Sequence, residues 1–268
     1  MTAVDRRSVL RAAALGAAAA AAAACGAKGP ADRATPPTAT PTRPTPVPGH
    51  PAGSGSAGAA GPTAALPAGL PFEVAAGPAD RGRVALTFHG QGDPAIARAV
   101  LDEAAAGGAR ITVLAVGTWL DEQPQVARLI LDGGHELGNH TLNHRAISGM
   151  SADAAYAEIA GCAERLQRLT GSPGRWFRPS QAQDCTARVA DQARRAGYQH
   201  CLGYNLDSLD YTDPGPAAVQ QTVLGRVGPG SIVSLHLGHQ GTVAALPGIL
   251  EGLQARSLQA VTATELFS

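Results

Sequence analysis

The sequence predicts an α/β fold built on a parallel β-sheet, open or closed into a barrel. Three observations predict it. From Val84 onward, short runs rich in Val, Ile, Leu and Thr alternate with longer stretches whose apolar residues recur at helical spacing. Asp, Ser or Pro opens several of those longer stretches and Gly closes them. The alternation continues to the C-terminus, and strands separated by helices return parallel to one another.

The elements follow in order. Val84–Phe88 reads as a strand. Asp93 caps and Pro94 opens a helix that turns Ile96 and Val100 inward and stops at Gly107 and Gly108. Ile111–Val116 is an uninterrupted apolar run, as expected of a buried strand. Pro124 opens a helix carrying Val126, Leu129 and Ile130, closed by Gly133 and Gly134. A short strand leaves that Gly-rich turn and runs into His140. Ser151 caps a longer helix with Tyr156, Ile159, Ala163 and Leu166 on one face, ending near Gly171. Arg175–Arg178, His200–Tyr204, Ser231–Leu235 and Ala260–Thr262 read as the remaining strands.

The chain has 268 residues, consistent with one domain and a tail. Lys plus Arg number 21 and Asp plus Glu number 21, so no basic field calls for nucleic acid. Aromatics make up only 4%, which leaves Ala, Val, Leu and Ile to build the core. Residues 1–25 look like an export signal. Arg6-Arg7 forms a twin-arginine start, and the apolar run Ala12–Ala24 is too short to span a bilayer, which takes about 20 residues. Ala22-Ala23-Ala24-Cys25 resembles a bacterial lipobox with Ala at its first position, so Cys25 is the expected lipid anchor. Residues 26–75 are Pro, Thr, Ala, Gly and Ser without apolar periodicity, a tether. Residues 76–268 are the folded domain. The expected location is the extracytoplasmic face of a bacterial cell membrane. Cys185 and Cys201 could bridge there or stay as buried thiols with Cys162.

The chemistry gathers at strand ends. His89 follows the first strand, His140 and His144 the third, Asp207 and Asp210 the fifth; Arg178 closes the fourth and His236 the sixth. Carboxyl ends of strands are where α/β barrels collect their sites. Two imidazoles four residues apart converge on one side of a helical turn and can share a divalent cation.

The block from Val84 onward resembles the polysaccharide deacetylase family, the NodB-homology domain of carbohydrate esterase family 4. The metal motif His-Ser/Thr-x-x-His is matched by His140-Thr141-Leu142-Asn143-His144, preceded by the typical Gly134-His135-Glu136-Leu137-Gly138-Asn139. Phe177-Arg178-Pro179-Ser180 approximates an Arg-x-Pro motif. Asp207-Ser208-Leu209-Asp210-Tyr211 approximates Asp-Trp with Tyr for Trp, and Ser234-Leu235-His236 the closing Leu-His. The resemblance implies a distorted (β/α)7-type barrel. It implies a metal-dependent hydrolase that removes acetyl groups from an N- or O-acetylated envelope polysaccharide such as peptidoglycan. Arg178, Asp210 and His236 would then be catalytic, with His236 as the acid oriented by Asp210, and zinc the expected metal.

One motif departs. The family opens with Thr-Phe-Asp-Asp-Gly, whose first Asp is the catalytic base and second a metal ligand. This chain has Thr87-Phe88-His89-Gly90-Gln91-Gly92-Asp93. Either His89 joins His140 and His144 as a third metal ligand, or Asp93 folds back as the ligand and His89 is the base. A metal-bound nitrogen cannot accept a proton, so His89 cannot do both. The alternative expectation is a non-catalytic glycan- or metal-binding envelope lipoprotein on the same fold.

Overall fold

The structure, a computed structural model, describes residues 66–268. The expected export signal, Cys25 and most of the expected tether lie outside the described residues. The strands are β1 (Glu73–Val74), β2 (Arg83–Gly90), β3 (Thr112–Ala115), β4 (Glu136–Asn139), β5 (Trp176–Phe177), β6 (His200–Leu202), β7 (Leu206–Asp207), β8 (Ile232–His236) and β9 (Gln259–Val261). Every ladder between them is parallel. The order is β1-β6-β5-β4-β3-β2-β8-β7, with β9 pairing the start of β2, so the curled half-barrel has β1 and β7 at its edges. Folded structure begins before the expected boundary at residue 75: Val74 is buried and β1 already pairs with β6. A two-residue strand is too short to show a period.

The helices are α1 (Pro94–Ala106), α2 (Gly117–Glu122), α3 (Pro124–Asp132), α4 (Ala152–Thr170), α5 (Ala187–Arg195), α6 (Pro216–Leu224), α7 (Gln240–Gln254) and α8 (Ala263–Leu266). The expected caps hold. Asp93 Oδ1 accepts from Ala95 N at 2.8 Å and Ser151 Oγ from Ala154 N at 3.3 Å. The turn α2 carries no side-chain cap, which is why nothing in the sequence announces it.

Central strand β2 explains where the site lies. Side chains alternate faces along a strand. Val84, Leu86 and Phe88 enter the large core under the helices. Ala85 faces the inner cluster with Leu114, Trp176, Leu202, Ile232 and Val261. Position 89 therefore points inward and position 90 outward.

Glu136 ties the floor of the half-barrel together. Its carboxylate accepts from Thr112 Oγ1 at 3.1 Å, Trp176 Nε1 at 3.0 Å and Thr264 N at 3.0 Å, and from Thr264 Oγ1. Burial pushes its carboxyl up against the pull of these donors. The bonds pin α8 across β3, β4 and β5. Glu136→Ala strands several buried donors, so it should lower stability by about 3 kcal/mol. Urea unfolding measures this; a loss under about 1 kcal/mol would show that the floor does not depend on Glu136.

Candidate metal centre and active-site groove

Strand register sets the centre. His89 pairs with His236 across β2 and β8, and Gly90 with Ala115, which in turn pairs with Asn139, the residue before His140. Three strand ends thus deliver His236, His89 and His140 to one level of the half-barrel.

His140 to His144 is not the helical turn that the spacing predicts. It is a loop with Thr141 and His144 in the left-handed region, at φ 69° and 53°. Each such residue costs on the order of 1 kcal/mol or more, so the surroundings must impose it. They do. Gly117 N and Thr118 N donate to Thr141 O and Leu142 O, each at 2.9 Å. Glu158 clamps Asn143, accepting from its backbone N at 2.8 Å and its Nδ2 at 2.9 Å. Thr141 N donates to Asn139 Oδ1 at 2.8 Å.

One ring nitrogen from each of His89, His140 and His144 falls within 4.8 Å of the others. The His140 ring stands 4.4 Å from that of His89 and 5.0 Å from that of His144, centroid to centroid. His140 Nδ1 donates to Arg178 O at 3.0 Å, which leaves the buried Nε2 without a partner. That is the arrangement of a metal-binding histidine, with the far nitrogen fixed by a carbonyl and the near lone pair free. All three imidazoles are held below their usual pKa, by burial first and neighbouring cations second, so they present lone pairs near neutral pH. The donor set fits a divalent ion.

Asp93 is not part of this cluster. It is exposed, and its carboxylate is engaged as the cap of α1. Helix capping holds it there, so the loop does not fold back as the alternative expectation required.

Arg178 is fully buried rather than set in a surface ion pair. Its Nε donates to Leu202 O at 2.7 Å, and its Nη2 to Thr87 Oγ1 at 2.9 Å and Gly203 O at 3.1 Å. Burial lowers its pKa to about 10, and its Nη1 has no partner. It fastens β6 to β2 and, through its carbonyl, aims His140.

Asp210 and His236 meet as expected. His236 Nδ1 lies 2.7 Å from Asp210 Oδ1, and its backbone N donates to Asp210 Oδ2 at 2.8 Å. Thr242 Oγ1 adds a bond to Oδ2 at 2.6 Å. Burial would raise the Asp210 pKa, but these donors, His236 foremost, bring it below the usual carboxylate value. The His236 ring stands 4.4 Å from that of His89. No hydrogen bond engages its Nε2 among the described residues. Asp207 is a turn residue whose carboxylate caps Leu209 N at 3.0 Å.

A groove of about 570 Å³ opens over the centre, lined by His144, His236, His239, Trp119, Glu122 and Asn143 among others. The sequence reading missed Glu158, Thr242, His239 and Asp213. Only the last two left a signal: each lies three residues after a residue already singled out.

A family model described as polysaccharide deacetylase matches residues 76–201. A peptidoglycan-N-acetylglucosamine deacetylase of Bacillus cereus is 32% identical over 188 residues, covering 69% of this chain and 87% of the relative. The chain belongs to the polysaccharide deacetylase family. A chitooligosaccharide deacetylase of Bradyrhizobium is 26% identical over 199 residues, covering 66% of this chain and 86% of the relative. Among solved structures, a CE4 family pseudoenzyme from Bacillus anthracis superposes with a TM-score of 0.70 at 23% identity, covering 74% of this chain and 70% of that one. A mutant of that pseudoenzyme with restored enzymatic activity superposes equally well, at 0.70. The polysaccharide deacetylase match ends before Asp210 and His236, so those two residues rest on the geometry above.

Proposed function

We propose that this protein is a metal-dependent deacetylase of an acetylated cell-wall glycan, exported and held at the membrane through Cys25. One observation carries the proposal: three converging imidazole nitrogens stand beside a histidine that Asp210 orients and whose Nε2 is free. The relatives' substrates, peptidoglycan and chitooligosaccharide, supply the glycan class. An all-imidazole donor set without a carboxylate suits zinc. His89, His140 and His144 would hold the ion, which would polarise the acetyl carbonyl and acidify water.

The remaining chemistry falls to His236. His89 is committed as a ligand and cannot take a proton. Arg178 is buried and cationic. His236 Nε2 therefore receives the proton of the attacking water and later delivers it to the departing amine nitrogen as the carbon–nitrogen bond breaks. Asp210 steadies the imidazolium between the two transfers. One proton is taken and one is returned, so no second base is needed.

Divalent-metal analysis of the purified protein, run beside an acetate-release assay on peptidoglycan and N-acetylglucosamine oligomers, tests the proposal. One zinc per chain together with acetate release is the expected result. A second reading, a metal-binding protein without turnover, is favoured by the missing first-motif carboxylates and by Arg178, which has no acidic partner. Full zinc occupancy with no acetate from any of these glycans would select it.

A further inference from the structure

A second His–Asp pair stands beside the first, and the reaction above does not use it. His239 Nδ1 lies 2.8 Å from Asp213 Oδ1. The pair repeats the His236–Asp210 pair at a three-residue offset in both segments. Asp210 opens the short 3₁₀ helix Asp210–Thr212 and Asp213 follows its last residue. The rings of His236 and His239 stand 5.9 Å apart and nearly perpendicular, at 80°.

The two pairs differ in their surroundings. The Asp210 side chain is sealed from solvent, whereas the side chains of Asp213 and His239 are 69% and 26% exposed. A pair this open adds little to stability. His239 occupies the cap position of α7 but makes no capping bond with its side chain, so its ring is not spent on the helix. The ring instead lines the groove that His144 and His236 also line. With Nδ1–H donated to Asp213, Nε2 is left as an acceptor for a hydroxyl. Tyr211, on the same 3₁₀ turn, is a large aromatic side chain left 47% exposed, and its ring stands 5.3 Å from that of His236. The rim therefore offers a sugar both a fixed acceptor and an apolar face.

We infer that His239, aimed by Asp213, is a binding residue for the sugar unit next to the one that reacts. The inference rests on the deacetylase reading for its ligand class. Calorimetric titration of the full-length, zinc-loaded protein with a tetramer of N-acetylglucosamine and with the single sugar tests it. His239→Ala should weaken tetramer binding about tenfold, one hydrogen bond's worth, and leave the single sugar and the zinc content unchanged. Asp213→Asn should weaken it less, because it only orients the ring. In turnover, KM for the tetramer should rise by the same factor with kcat within about twofold. Unchanged tetramer affinity in His239→Ala, equal weakening for both sugars, no tetramer binding by the wild type, or a fall in kcat at unchanged affinity would each overturn the inference. Differential tetramer binding by a wild-type protein that releases no acetate would sink the deacetylase reading and leave this one standing.

Discussion

Replacing His140 and His144 together by Ala should strip the centre of metal and leave the fold intact. Two of three donors vanish, and loss of even an indirect partner of a metal ligand costs about 10–100-fold in affinity, so at least 100-fold is expected here. The fold should survive because the loop that carries the histidines is held by Glu158, Gly117 and Thr118 rather than by the ion. Metal content after gel filtration, read with circular dichroism, measures both halves. A double mutant that keeps full occupancy would show that the ligands lie elsewhere. His89→Ala alone should weaken binding sharply, since it takes the only donor that the first motif supplies to the cluster.

His236→Ala should reduce kcat by roughly 10²–10⁴-fold with zinc content unchanged, as expected when a general acid is lost. The loss should sit at the upper end, because one imidazole carries both proton transfers. Asp210→Asn should act in the same direction but less. It also carries a stability signature. The folded pKa of Asp210 is depressed, so its contribution is present above the usual carboxylate range and is lost as pH falls through the depressed value. The Asn variant should therefore be less stable than wild type near neutrality and converge on it in acid. Loss of zinc in either variant would mean that His236 is a ligand rather than the proton carrier.

The fold was legible because its strands are apolar runs punctuated by Gly and Pro, and the site because it collects at the ends of those runs. His140, His144, Asp210 and His236 carried their meaning in spacing and motif. Other features left no such trace. Edge strands β1 and β7 are two residues long, below any detectable period. Arg178 was legible as a strand-end residue of the site but not as a buried tie, since nothing in a sequence shows that three backbone or hydroxyl acceptors will converge on one guanidinium. Glu158 sits on α4 among residues that read as a polar helix face, and its partner Asn143 is 15 residues away in a loop. The backbone of that loop was misjudged for the same reason: a four-residue interval suggests a helix, and only the tertiary clamp makes the left-handed alternative tenable.

Gly90 bears on how reversible this design is in evolution. It stands where the family's pattern places an acidic ligand, yet it faces the outer core. A Cβ added there would meet Val113 Cγ1 at 2.7 Å and Ala115 Cα at 3.0 Å. Valine has little rotamer freedom with which to move aside, and the backbone of β3 has less. A lineage that had exchanged the two carboxylates for His89 and Gly90 and then packed Val113 against position 90 could not retrace its path through Gly90→Asp alone. Strand β3 would have to be repacked first, at a stage when that change brings no catalytic gain. The all-imidazole centre would then persist as a historical lock, maintained by the core behind it as much as by the reaction in front of it.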